Sequence, residues 1–103
     1  MKSILTKLET HYIYIITNKP NGVLYIGVTK DLKRRIRQHK NKVHLSRFSA
    51  RYNLNTLVYF ENHETKESVL FLEKRMKKWN RDWKVGLIEK ENPIWEDLVD
   101  KIK

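Results

Sequence analysis

The chain of 103 residues contains no cysteine. This excludes disulfide staples, thiolate zinc ligands and a cysteine nucleophile, and it fits a reducing compartment. Its three glycines, Gly22, Gly27 and Gly86, are scattered. There is therefore no glycine-rich phosphate loop of a nucleotide hydrolase and no Gly-x-Ser-x-Gly elbow of a serine hydrolase. His11, His44 and His63 lack the spacing of a zinc site. No apolar run approaches the ~18–20 residues of a membrane span. Residues Met1 to Leu8 lack the apolar core and cleavage site of a signal peptide. A cytoplasmic protein without membrane contact is expected. Repeats and low-complexity tracts are also missing.

What the chain has in excess is positive charge. Twenty-two Lys and Arg stand against twelve Asp and Glu, a net charge of +10. The excess is concentrated in two blocks. Thr29 to Arg51 holds nine cations and one anion, and Lys74 to Lys84 holds six cations and one anion. The stretch from Glu89 to Lys103 is mildly acidic, with five anions and three cations. Solvated helix faces would explain some of this. Clustering on this scale is more typical of a polyanion binder.

The residue pattern predicts one α+β domain: a small three-stranded antiparallel sheet flanked by helices. His11–Thr17 reads as a strand with apolar residues on both faces, so it should be central and covered on both sides. Asn18 to Gly22 is a turn cluster, and Val23–Val28 is the second strand of a hairpin. Gly27, near its end, signals close backbone approach or an unusual dihedral. Thr29 or Asp31 can cap a helix to about Lys40, with Leu32 and Ile36 facing the core. Phe48 and Tyr52 are candidates to anchor a short helix within 41–55. Thr56–Glu61 is a third strand. Thr65 opens a helix to about Trp79, and Trp83–Lys90 forms another. After Asn92-Pro93, Trp95–Ile102 is predicted to be a last amphipathic helix. The expected organisation is an N-terminal extension (1–10), a domain (11–90) and a C-terminal helix (91–103) packing on or beside it. Trp95, Leu98 and Ile102 would bury against the same core or another chain.

Five side chains invite chemical roles. Tyr14 and Tyr25 lie on adjacent strands and can approach across the ladder. Taken alone, such a pair is more often plain aromatic packing. A phenol with a pKa near ~10 also needs a cation or metal to act at neutral pH. Arg35 and His39, four apart, share one helix face at the boundary of the core. The arginine suits bidentate contact with phosphate, and the histidine could shuttle a proton or merely sit at the surface. Glu73 falls among Val69, Leu70, Leu72 and Met76. One carboxylate with water and substrate oxygens is how Mg²⁺ is often held, and an i,i+4 ion pair with Lys77 is the simpler alternative.

These elements occur together in one known arrangement. Tyr12-Ile13-Tyr14, Tyr25-Ile26-Gly27, the helix Asp31–His39 and the segment Glu73–Trp79 follow one another in the order and at the intervals of the GIY-YIG nucleases. From about His11 to Glu89 the chain resembles that superfamily, in particular its small stand-alone bacterial members, related to the nuclease module of the UvrC repair protein. It departs from the pattern in three places. Tyr12 replaces a glycine, as is common in small members. Val28 stands where some relatives carry lysine. Lys84-Val85 occupies the region of a late asparagine.

The resemblance implies a GIY-YIG-like fold and hydrolysis of phosphodiester bonds in DNA. Tyr14 and Tyr25 would be the site tyrosines, one of them assisting deprotonation of water. Arg35 would stabilise the charged phosphate, and His39 would take part in proton transfer. Glu73 would ligate a single Mg²⁺ or Mn²⁺. Lys30, Lys33, Arg34, Arg37, Lys40, Lys77 and Lys78 would track the phosphate backbone. With no accessory domain to read bases, little sequence specificity is expected, and a protein partner or a DNA structure would supply it. The charge does not separate DNA from RNA. The pathway is equally open among repair, defence against foreign DNA and mobile-element maintenance. The alternative is a nucleic-acid-binding module that keeps the nuclease fold with little or no catalysis.

Overall fold

The computed structural model describes residues 10–41 and 52–102. The expected N-terminal extension, apart from Thr10, and Phe48 of the conjectured short helix lie outside these residues. The elements run β1 (His11–Thr17), β2 (Leu24–Thr29), α1 (Leu32–Lys40), β3 (Thr56–His63), α2 (Lys66–Met76) and α3 (Arg81–Glu91), followed by a 3₁₀ turn, Val99–Lys101. The strands form one antiparallel sheet in the order β2-β1-β3.

β1 is central, as its two-sided apolar pattern predicts, and its residues alternate between two cores. Ile13 and Ile15 pack with Val69 and Met76 of α2, Ile88 of α3 and Trp95. Tyr14 and Ile16 pack on the other face with Leu32 and Ile36 of α1, and with Leu54, Leu57 and Ile102. Among the described residues no helix is long and apolar enough to cross a membrane.

Local chemistry sets the ends of these elements. In the hairpin turn the residue with left-handed backbone is Asn21, with φ 57°, not the glycine after it. Gly22 is required for space, because a Cβ there would lie 2.1 Å from Asn18 Oδ1. That oxygen accepts from Val23 N at 3.0 Å and closes the turn. The three helices are capped by side chains that accept from the N3 amide: Asp31 from Arg34 N (3.1 Å), Thr65 from Ser68 N (3.1 Å) and Asn80 from Trp83 N (3.0 Å). Asp31 therefore caps α1, and Thr29 Oγ1 supports it by accepting from Asp31 N at 3.1 Å.

Two features differ from the sequence expectation. α2 ends at Met76, and residues 77–79 continue only as tight turns, with Lys78 N donating to Arg75 O and Trp79 N to Met76 O. The C-terminal segment is not an amphipathic helix over 95–102. Trp95 takes φ 58°, and helical structure is limited to the short 3₁₀ turn. Tertiary hydrogen bonds displace the helix. Leu98 N donates to Leu57 O at 2.8 Å, and Asp97 Oδ1 accepts from Leu57 N and Val99 N. The segment runs along the outer edge of β3 as a strap. Its Trp95 is buried in one core and its Ile102 in the other.

Candidate active site

The site begins with the β1–β2 register. Tyr14 is paired with Gly27, and Tyr25 with Ile16. Tyr14 and Tyr25 are therefore diagonal neighbours on one face of the sheet, within reach for aromatic side chains. Tyr14 is fully buried and lies over the Gly27 backbone. A Cβ at position 27 would come within 2.4 Å of the Tyr14 Cζ and hydroxyl oxygen. The glycine thus serves close approach and not an unusual dihedral, because no glycine has positive φ among the described residues.

α1 supplies the next layer. His39, in the last turn of the helix, is buried instead of lying at the boundary. Its ring contacts both tyrosines, at centroid distances of 6.0 Å to Tyr14 and 6.1 Å to Tyr25. Its Nε2 lies 3.4 Å from the Tyr14 hydroxyl, a long hydrogen bond. Arg35, one turn earlier, reaches the same phenol.

Burial pushes the Tyr14 phenol up to about 12. Arg35 opposes this, as a hydrogen-bond partner and as a nearby positive charge, while Tyr25 and the Glu73 carboxylate add to the rise. Burial also lowers His39 to about 4, and the charge of Arg35 contributes. Near neutral pH the phenol and the imidazole are both uncharged, with a cation beside them.

Glu73 arrives from α2. It lies four residues after Val69 and three before Met76, the two residues that α2 buries. Its carboxylate is mostly shielded, with 21% side-chain exposure. Oε2 pairs with Lys77 Nζ at 3.1 Å. The ion pair, the simpler of the two sequence readings, is formed, and the Glu73 charge also opposes ionisation of the Tyr14 phenol.

A sequence profile described as the GIY-YIG catalytic domain matches residues 10–86. The chain belongs to the GIY-YIG family. It is similar to a UPF0213 protein of Staphylococcus saprophyticus, with 37% identity over 81 residues, covering 79% of this chain and 96% of that one. A UPF0213 protein of Haloquadratum walsbyi is 32% identical over 86 residues, covering 84% and 94%. The solution NMR structure of a UPF0213 protein from Bacillus halodurans superposes with a TM-score of 0.53 at 27% identity, covering 85% of this chain and 92% of that one.

In this GIY-YIG domain the cations named from sequence have different surroundings. Arg34 and Lys30 line a cleft with Arg35 and Gln38 at the start of α1. Lys33 and Arg37 line a second one, with Lys40 and the C-terminal Val99, Asp100 and Ile102. The Lys40 ammonium is committed to the fold, pairing with Asp97 and donating to Asn55 O at 2.8 Å. Lys78 is exposed at the end of α2. Lys77, besides holding Glu73, lines a third cleft with Leu24, Tyr25, Ile26 and Lys84. Lys84 lies in the stretch of the late asparagine and was not singled out from sequence. Its signal was only its place in the second basic block.

Proposed function

We propose that this GIY-YIG domain is a divalent-metal-dependent endonuclease that hydrolyses phosphodiester bonds in DNA with little intrinsic sequence specificity. One observation carries the reading. Arg35, His39, Tyr25 and Glu73, from α1, β2 and α2, all act on the one buried phenol of Tyr14.

The donor set fits Mg²⁺ or Mn²⁺. These ions take one or two carboxylates and complete their shell with water and phosphate oxygens. Glu73 offers one shielded carboxylate, with Lys77 on Oε2. Among the described residues no cluster of three or more His, Asp or Glu forms an all-protein cage. When bound, the ion supplies Lewis-acid stabilisation of the phosphate and of the departing oxygen.

The chain's own residues supply the rest. Once substrate phosphate offsets the Arg35 charge that, with burial, holds the imidazole low, His39 Nε2 can accept the Tyr14 hydroxyl proton, which leaves the phenol oxygen free to accept a proton from water. Tyr14 then acts as a relay and never needs to be a stable phenolate. Long catalytic hydrogen bonds commonly tighten around substrate. Arg35 pairs with the phosphate oxygens in this reading. Tyr25 borders the cleft of Lys77 and Lys84, beside the path a strand would take.

The Glu73–Lys77 ion pair favours a second reading, a domain that binds nucleic acid without cutting it. Glu73→Ala separates the two. Wild type should nick or degrade DNA with Mg²⁺ or Mn²⁺ and stop with EDTA. The variant should lose roughly 100-fold or more in rate while keeping most of its DNA affinity. Absence of cleavage by wild type on single-stranded, duplex and branched DNA with either metal would leave the binding module as the function.

A further inference from the structure

Two aromatic rings on the helices stand largely in solvent, Phe71 at 64% and Trp83 at 62% exposure. Phe71 already has the Arg75 guanidinium over its ring at 5.3 Å. Trp83 is different. Its indole meets Trp79 edge-on at 5.8 Å, and Trp79 packs on the core of α2 and α3. The contact braces the ring and leaves most of it open.

The helix that carries Trp83 is also fixed to the hairpin. Arg81 donates to Asn21 O and Gly22 O, both at 2.7 Å. Trp83 therefore holds a set position relative to β2, the strand of Tyr25. The next residue, Lys84, lines a cleft with Lys77 and Tyr25. The stretch from Lys74 to Lys84 carries six cations and one anion, Asp82. Cations in a cleft select a polyanion. An open, braced indole one residue before Lys84 on the same helix selects a flat π face. A base offers such a face only when it is not stacked and paired within a duplex.

We propose that Trp83 is a base-stacking site. An unpaired nucleotide next to the Lys77 and Lys84 cleft lays its base on the indole, and the two lysines hold the flanking phosphates. The strand leaving the site past Tyr25 is then single-stranded. This rests on the nucleic-acid reading above but not on catalysis.

The test is equilibrium binding in EDTA of a labelled 20-nucleotide oligo(dT) and of a 20-base-pair duplex to full-length wild type, Trp83→Ala and Trp83→Phe. Because Trp83 is exposed, both variants should keep the wild-type melting transition. Trp83→Ala should weaken oligo(dT) binding by roughly 5- to 150-fold, the range for loss of one stacked base. Duplex binding should change less than twofold, and Trp83→Phe should recover most of the single-strand affinity. The proposal is overturned if Trp83→Ala binds oligo(dT) like wild type, or if it loses oligo(dT) and duplex equally. It is also overturned if wild type is an oligomer that Trp83→Ala dissociates, since the indole then covers a second copy. Loss of single-strand binding by the variant together with a wild type that cuts nothing would keep the stacking site and remove the nuclease. A wild type that cuts and a Trp83→Ala that binds normally would do the reverse.

Discussion

An alanine at position 27 would have to share space with the hydroxyl end of Tyr14, which a Cβ there approaches to 2.4 Å. On a surface the ring would swing away. Tyr14 is fully buried against Leu32 and Ile36, so either the phenol leaves His39 or β2 bows outward. Overpacking of this kind costs about 1–3 kcal/mol. Gly27→Ala should therefore lower stability by that amount in chemical denaturation, and cleavage per folded molecule should fall at least tenfold. Unchanged cleavage would show that the phenol need not sit where it does. The same residue marks a limit of sequence reading. Gly27 advertises either close approach or a special dihedral, and only the register with Tyr14 decides between them.

At the scale of elements, the C-terminal strap and the edge of β3 work as a unit. The ladder between β1 and β3 is irregular at Ile15/Ile16: Ile15 pairs with Tyr59 and Ile16 with Leu57, so Val58 is a bulge. Asn92, buried after α3, donates from Nδ2 to Val58 O at 3.1 Å and to Glu96 O at 3.0 Å, and its Oδ1 accepts from Glu96 N at 3.0 Å. The side chain satisfies the bulge and shapes the start of the strap. Asn92→Ala should cost about 2–4 kcal/mol, because buried polar partners are left unpaired. Cleavage per folded molecule should stay near wild type, since Asn92 lies on the strap side of β3. A loss of rate at unchanged stability would assign the strap a part in the site.

The contrast between β1 and this strap explains what could be read in advance. β1 announces itself by residue type, and α1 by its cap and its Leu32/Ile36 spacing, all local signals. The strap has the amphipathic pattern of a helix, yet its backbone is claimed by Leu57, and Asp97 and Asn92 act across about 40 residues of sequence. Spacing rules carry no such information. The site is intermediate. Its residue types and order were legible, whereas the burial of His39 and the simultaneous engagement of Glu73 with Lys77 and Tyr14 depend on how α1 and α2 approach the sheet.

For the whole molecule, the site's uncharged pair ties stability to pH. His39 titrates at about 4 in the fold against an ordinary ~6.5 when unfolded. Between those values the unfolded chain binds the extra proton, so stability rises with pH across the window. The contribution is complete above about pH 6.5 and is lost as pH falls toward 4, roughly 3 kcal/mol at most. Tyr14, raised to about 12, acts at the other end, and its share is lost as pH climbs from about 10 to 12. Denaturation midpoints from pH 7 to pH 4 should therefore fall more steeply for wild type than for His39→Gln. Parallel curves would mean that His39 accepts its proton in the folded state without penalty.

Tyr14 belongs to the core and to the site at once, and this shapes how the domain can change over generations. Arg35 and Glu73 both reach solvent and could be exchanged with little harm to folding. Position 14 offers no such freedom, because a small residue there would open a cavity between β1 and α1. On the proposed nuclease reading, a lineage that stopped cutting would shed the hydroxyl and retain the ring, and a phenylalanine at 14 would be the fossil of its former chemistry.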